Sequence, residues 1–317
     1  MENSYLWTER YRPKKFEEVI GHHDIVKRLK ALVEQKNIPH LLFSGPAGVG
    51  KTTLALVIAR ELYGDDWKQN FLELNASNDR GIDIIRNEVK DFAKTKGIAN
   101  IPFKLILLDE CDALTKEAQQ ALRRTMETYS NSCRFILSCN FVNKVIDPIK
   151  SRCAIFKFKP LKKEDLIQIV KKIAIDEALE INEQSTNRLY ELSGGDIRQL
   201  QNVLQSCAST TKIISEKEIN EFASKNESKD VKEIVTLALG KKFILSRNKL
   251  LETMLNNGLS GIDILKQIQR EVMDLEISDD KKLGIIERCG EVEFRLVEGS
   301  NDMIQLEALL AYIAKNS

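Results

Sequence analysis

A chain of 317 residues, 43% hydrophobic and 30% charged, has the balance of a globular protein and the length for two or three domains. No apolar run reaches a membrane span, and the start "MENSYLWTERYRPKKF" lacks the apolar core of a secretion signal. The expectation is a protein of the cell interior with no membrane partner. The six cysteines and three histidines form no CxxC pair and no zinc-ligand spacing, which points to reduced, packed thiols. The net charge of +1 is unevenly placed: residues 1–160 carry 26 Lys/Arg against 20 Asp/Glu, and residues 161–317 carry 22 against 27. A polyanionic partner is therefore expected on the first half, although plain solvation of a basic surface reads the same way.

In chain order, short apolar runs come first: "HLLFS" (40–44), "FLEL" (71–74), "FKLILLD" (103–109), "CRFILSC" (133–139) and "AIFKF" (154–158). They alternate with helical patterns, which predicts an α/β unit with a parallel sheet covered on both faces. All six prolines lie at or before Pro160. Beyond it, apolar residues recur at spacings of three and four from "KKEDLIQIVKKIAIDEAL" to "DMIQLEALLAYIAK", which predicts helices throughout. Gly194-Gly195 and Gly258 fit turns, and the polar stretch 224–230, "SKNESKD", fits a boundary.

"GPAGVGKT" at 45–52 satisfies GxxxxGK[ST] in full, between strand "HLLFS" and helix "TTLALVIAREL". Backbone N–H groups of Gly45, Pro46's successor Ala47, Gly48, Val49 and Gly50 would curl round phosphates at a helix N-terminus, with Thr53 just inside it. Lys51 would reach the β- and γ-phosphates and Thr52 would hold Mg²⁺. "LILLDECD" at 105–112 supplies the acidic half, with Asp109 as the second Mg²⁺ residue and Glu110 as the group that orients water. Adjacent carboxylates at a strand end can also start a helix; the upstream phosphate loop favours the site. Asn140, at the tip of "CRFILSCN", is a further candidate for positioning water.

On these residues the sequence resembles the AAA+ ATPases, and within them the small subunits of the clamp loader replication factor C, archaeal-type with the eukaryotic ones close. The resemblance runs the length of the chain, through "TERYRPKKFEEVIGH", "GPAGVGKTT", "LNASNDRGI", "KLILLDECDALTKEAQQALRRTME", "LSCN", "IKSRC" and "LSGGDIRQLQN". It departs from the family's DEAD at Cys111. It implies that Tyr11, Arg12, Pro13, Ile20 and Gly21 lie along adenosine, that Asn140 is a sensor, and that Arg198 is a second sensor in a helical lid. Arg152, in "DPIKSRCAIF", is implied to be an arginine finger completing a neighbouring subunit's site, while Cys153 beside it reads as a packing residue.

The resemblance further implies ATP/ADP and Mg²⁺ as cofactors, with the clamp loader's large subunit, further small subunits, a sliding clamp and primer–template DNA as partners. Arg80, Arg86, Lys90 and Lys144 are the candidate phosphate contacts to DNA. In helix "KEAQQALRRTMETY", Ala118, Ala121, Leu122, Thr125 and Met126 form one stripe; Gln119, Arg123, Arg124 and Glu127 are expected off it. The expected division is a RecA-like AAA+ domain at 1–160, a lid at 161–227 and an all-α collar at 228–317. The implied location is the cytoplasm in an archaeon and the nucleus in a eukaryote. Two alternatives stay open: another AAA+ DNA motor of the branch-migration type, and a structural subunit that binds ATP without hydrolysing it.

Overall fold

The computed structural model describes residues 6–77, 88–94, 103–220, 229–257 and 259–316. The chain divides into two compact units, residues 1–219 and 220–317. In the first, β1 (His40–Ser44), β2 (Phe71–Asn75), β3 (Lys104–Asp109), β4 (Cys133–Cys139) and β5 (Cys153–Lys157) form a parallel sheet in the order β2-β3-β4-β1-β5. All five follow the apolar runs of the sequence. Alternation along the strands sends Leu41, Phe43, Leu105 and Leu107 to a core on one face, and Leu42, Ile106, Leu108 and Leu137 to a core on the other. Burial on both faces is why the interior strands β1, β3 and β4 read as nearly unbroken apolar runs, while the edge strands β2 and β5 are only partly buried.

Helices α1 (Trp7–Arg10), α2 (His23–Glu34), α3 (Lys51–Tyr63), α4 (Trp67–Asn70), α5 (Lys90–Lys94), α6 (Lys116–Thr128) and α7 (Asp147–Lys150) surround the sheet. Helices α8 (Lys163–Asp176), α9 (Glu183–Ser193) and α10 (Ile197–Ala208) follow it, with a two-residue parallel ladder between β6 (Glu180–Ile181) and β7 (Ile213–Ile214). That ladder is too short to leave a periodic signal in the sequence. Asn182 and Asp196 cap α9 and α10 with side-chain oxygens, and Gly194 closes α9 in the left-handed region.

The second unit contains α11 (Lys229–Leu239), α12 (Phe243–Asn257), α13 (Gly261–Asp274), α14 (Asp279–Val297) and α15 (Asp302–Lys315). Their apolar stripes close one core around Val231, Ile268, Val292, Leu306 and Leu309. Among the described residues no helix is long and apolar enough to cross a membrane.

At the start of β1, His40 accepts a hydrogen bond at Nδ1 from the Phe135 N–H at 3.1 Å. Burial, then the neighbouring Arg134 charge, pushes its pKa down from 6.5 to about 4. The folded chain therefore favours neutral His40, so this stabilisation is present above pH 6.5 and lost as pH falls toward 4. A shift of that size is worth on the order of 3 kcal/mol. Urea unfolding from pH 7 to 4 should show a steeper loss for the parent than for His40→Asn; equal slopes would contradict the assignment.

Candidate nucleotide site

Between β1 and α3 the chain turns back under the end of the sheet, with the Gly45 N–H donating to Cys139 O at 3.2 Å. Gly45 and Gly48 are glycines for reasons of space. A Cβ on Gly45 would meet the Phe158 carbonyl at 2.4 Å, and one on Gly48 (φ +70°) would meet the Asp196 carboxylate at 1.8 Å. The Ile197 N–H donates to Gly48 O at 3.0 Å, pinning the loop to the first turn of α10. Lys51 is only 7% exposed. Its Nζ donates to Gly45 O at 2.7 Å, Pro46 O at 2.6 Å and Asn140 Oδ1 at 3.0 Å. Burial pushes its pKa down while the Asp109 carboxylate pulls it up. An ammonium held directly by neutral oxygens is electrostatically ready for an anion.

The acidic residues meet this loop from β3. Thr52 Oγ1 donates to Asp109 Oδ2 at 2.5 Å, and the Glu110 N–H donates to Asp109 Oδ1 at 3.0 Å. A hydroxyl and a carboxylate side by side are hard oxygen donors, the chemistry that suits Mg²⁺. Glu110 follows at φ +52°, a left-handed conformation that a non-glycine residue adopts at a cost. The sharp turn leaves its side chain in the cavity wall while Cys111 is buried in the core.

Asn140 is held at the tip of β4 by a neighbour whose role the sequence did not announce. Asp112 Oδ2 accepts from the N–H groups of Asn140 at 3.2 Å and Phe141 at 2.9 Å. The segment beyond is tied by Gln119, which donates to Leu114 O at 3.2 Å and Lys144 O at 3.0 Å and accepts from the Ile146 N–H at 2.9 Å. Gln119 was expected off the apolar stripe of α6. The structure buries it to 2% exposure, because backbone groups there need its amide.

One cavity collects most of the predicted residues. Ala47, Gly48, Val49, Gly50, Lys51, Thr52 and Thr53 line it from the loop, Asp109, Glu110 and Asn140 from the strand ends, and Arg198 from α10. Tyr11, Arg12, Pro13 and Ile20 line it from the N-terminal segment. Gly45 and Pro46 stay behind the wall and serve Lys51 through their carbonyls. Gly21 is packed under Leu161 and Asp165. The wall also contains residues not singled out in the sequence, His22, Ile169, Lys172, Ile173 and Gln201. His22 contacts Val49 O through Nε2 at 3.1 Å, and burial lowers its pKa. Ile169 and Ile173 lie on the apolar stripe of α8, where spacing alone marks only a core face.

Arg152 lies outside this cavity. Its guanidinium is exposed, donates to Pro148 O at 2.7 Å and pairs with Glu127, which also pairs with Arg123 at 3.1 Å. Cys153 packs at the edge of a core, and burial pushes its thiol up to about 12, which is the opposite of a nucleophile's environment. Lys90 and Lys144 are both exposed, with the Lys144 ammonium 5.5 Å from the Phe141 ring centroid. Beside Lys90, Val89 is buried in the core and Phe92 packs partly buried against it. Arg80 and Arg86 lie outside the described residues, as does most of 94–103.

A parallel sheet with a phosphate loop after its interior strand β1, an acidic pair ending β3 and a helical segment closing over the loop defines the AAA+ class of ATPases. The family model "ATPase family associated with various cellular activities (AAA)" matches residues 41–161, and "Replication factor C C-terminal domain" matches residues 226–312. The chain belongs to the replication factor C small-subunit family. It is 54% identical over 305 residues to the replication factor C small subunit of Methanococcus vannielii, covering 96% of this chain and 97% of that one. It is 49% identical to the Sulfolobus acidocaldarius protein of the same name, covering 99% and 97%. Among solved structures, the Thermotoga maritima RuvB Holliday junction branch migration motor aligns with a TM-score of 0.58 at 19% identity, covering 72% of this chain and 78% of that one. That likeness is one of fold.

Replacing Gln119 by alanine strands a partly buried N–H at Ile146 and frees two carbonyls. Such a loss costs about 1–3 kcal/mol. Chemical denaturation should show it; an unchanged midpoint would mean that solvent takes over these bonds without penalty.

Proposed function

We propose that this chain is the ATP-hydrolysing small, motor subunit of a clamp loader, opening a sliding clamp and loading it onto primer–template DNA. The observation that carries the reading is the convergence of Lys51, Thr52, Asp109, Glu110, Asn140 and Arg198 on one cavity. Lys51 exchanges its carbonyl partners for the β- and γ-phosphates, and the loop's N–H groups take the remaining oxygens. Thr52 and Asp109 would hold Mg²⁺, which when bound would neutralise phosphate charge. Glu110 orients and polarises the attacking water, and Asn140 keeps it in line. Arg198 contacts the γ-phosphate from the lid.

In this reading the AAA+ domain is 1–160, the lid 161–227, and residues 228–317 form the collar that joins the large subunit and further small subunits; the compact units divide a few residues earlier, at 219/220. The exposed apolar residues Leu255, Leu283 and Phe294 support a partnered collar. Arg152 acts in trans: within its own chain it lies beside Glu127 and away from the cavity, and its exposure suits delivery to a neighbour. An exposed ion pair holds it only weakly. Arg80, Arg86, Lys90 and Lys144 contact DNA phosphates, so binding follows duplex shape and not sequence.

Glu110→Gln should bind a labelled ATP analogue as the parent does while the assembled complex loses steady-state hydrolysis. Turnover at the parental rate would remove Glu110 from its role. The comparison made with and without clamp and primed DNA separates a clamp loader from other DNA motors and from a non-hydrolysing subunit.

Arg152→Ala should keep its own ATP affinity and lose hydrolysis in the complex; such fingers are worth about 10³–10⁵ in rate elsewhere. Mixed with Lys51→Ala, which keeps its arginine, it should regain activity where the two sit in the right order. A mixture no more active than either variant would place Arg152 in a purely internal pair.

A further inference from the structure

The cavity wall has two chemically different parts. One carries the Lys51 ammonium with Thr52 and Asp109. The other includes apolar surface from Tyr11 and Pro13 of the N-terminal segment and Ile169 and Ile173 of α8, with the polar Lys172 and Gln201 also in the wall. Flat apolar and aromatic walls beside a phosphate loop suit the base of a nucleotide.

The Tyr11 ring is fixed from three sides. Trp7 meets it edge-on at 6.1 Å between centroids, and the Arg10 guanidinium lies 5.6 Å from its centroid. Its hydroxyl donates to Glu177 Oε1 at 2.7 Å, and the same oxygen pairs with Arg10 Nη1 at 2.8 Å. Glu177 follows the last residue of α8, and its side chain is 16% exposed. Ile169, Ile173 and Glu177 are spaced by four, so one stripe of the helix gives two residues to the cavity and a third to the tyrosine. The Lys212 ammonium donates to the Glu177 carbonyl at 3.0 Å and secures the backbone there. Trp7 is buried, and its backbone N–H donates to Gln205 Oε1 at 3.0 Å, on α10. The segment that walls the apolar part is therefore fastened to the lid helices as well as to the sheet, where Phe16 enters the core.

We propose that Glu177 is the positioning residue for the nucleobase: its carboxylate holds Tyr11 and Arg10 against α8 and thereby sets the width of the slot between the N-terminal segment and the lid. The inference rests on the nucleotide-binding reading above and adds a residue that does not touch the cavity. Burial, then the Glu177 contact, raises the Tyr11 pKa, which keeps its hydroxyl a donor. A charge-assisted bond shared by two donors is of the stronger kind. Losing it removes the hydroxyl's anchor and frees the ring to shift at the end of α1.

The test compares two ligands on the full chain by equilibrium binding, ATP and inorganic tripolyphosphate, which has the phosphates without the base. Glu177→Ala should raise the Kd for ATP about tenfold, the equivalent of 1.4 kcal/mol, and move that for tripolyphosphate far less. Tyr11→Phe should show the same selective loss, and adding it to Glu177→Ala should cost little more. Glu177→Gln, which keeps an acceptor for the hydroxyl, should recover much of the difference. In the assembled complex the defect should fall on KM more than on kcat. Equal weakening toward both ligands would mean that Glu177 merely supports the fold and would overturn the proposal. A parent that binds ATP through Lys51 while Glu177→Ala binds it equally well would overturn this inference alone. A parent that does not bind ATP at all would overturn the reading beneath it.

Discussion

Lys51 places an ammonium at the end of the sheet, and its neutral partners come from two sources: its own loop and the tip of β4. Taking a cation out of water costs several kcal/mol unless its protons are satisfied and opposite charge lies near. The strand order meets that demand. β1 lies in the interior of the sheet beside β4, so the loop that follows it emerges next to Asn140, and β3, one strand further, brings Asp109 to Thr52. The rest of the first unit holds these ends in register. Asp112 fixes the Asn140 backbone, Gln119 fixes the segment after it, and α10 closes on Gly48.

Two different signals made parts of this legible in advance. The three interior strands were readable because both their faces are buried, so that Leu105 through Leu108 form an uninterrupted run, whereas the edge strands β2 and β5 are only partly buried. The phosphate loop was readable from its glycine pattern alone; the second reason Gly48 is glycine, the Asp196 carboxylate packed against it, was not. Residues that act through a neighbour left no comparable mark. Gln119 looks like a solvated helix residue until the carbonyls it bonds are known, and Glu177 looks like one more acidic residue at a helix end. Their partners lie 25 and 166 residues away, beyond the range of any local pattern. Ile169 and Ile173 are a different case: the stripe was visible, but spacing cannot distinguish a core face from the wall of a cavity.

The proposed trans role would give Arg152 a distant partner besides the local one. Its pair with Glu127 is exposed, and Glu127 retains Arg123 when Arg152 leaves. Release would therefore strand no buried charge, and in the proposed role the arginine would exchange one anionic partner for another. A finger with no partner in its own chain would sample many rotamers and lose that entropy on docking. The pair with Glu127 removes part of that loss beforehand.

Glu110 reaches the cavity through a left-handed backbone. That conformation is costly for any residue with a β-carbon and free for glycine, so the position that carries the carboxylate is also one where the chain gives up stability. Glu110→Gly would relax the turn and remove the carboxylate proposed to orient water. A selection for heat resistance applied to this polypeptide, blind to turnover, would be drawn toward that change and, on the proposed role of Glu110, would return a sturdier protein with an inert site. Stability and activity thus pull on a single codon in opposite directions.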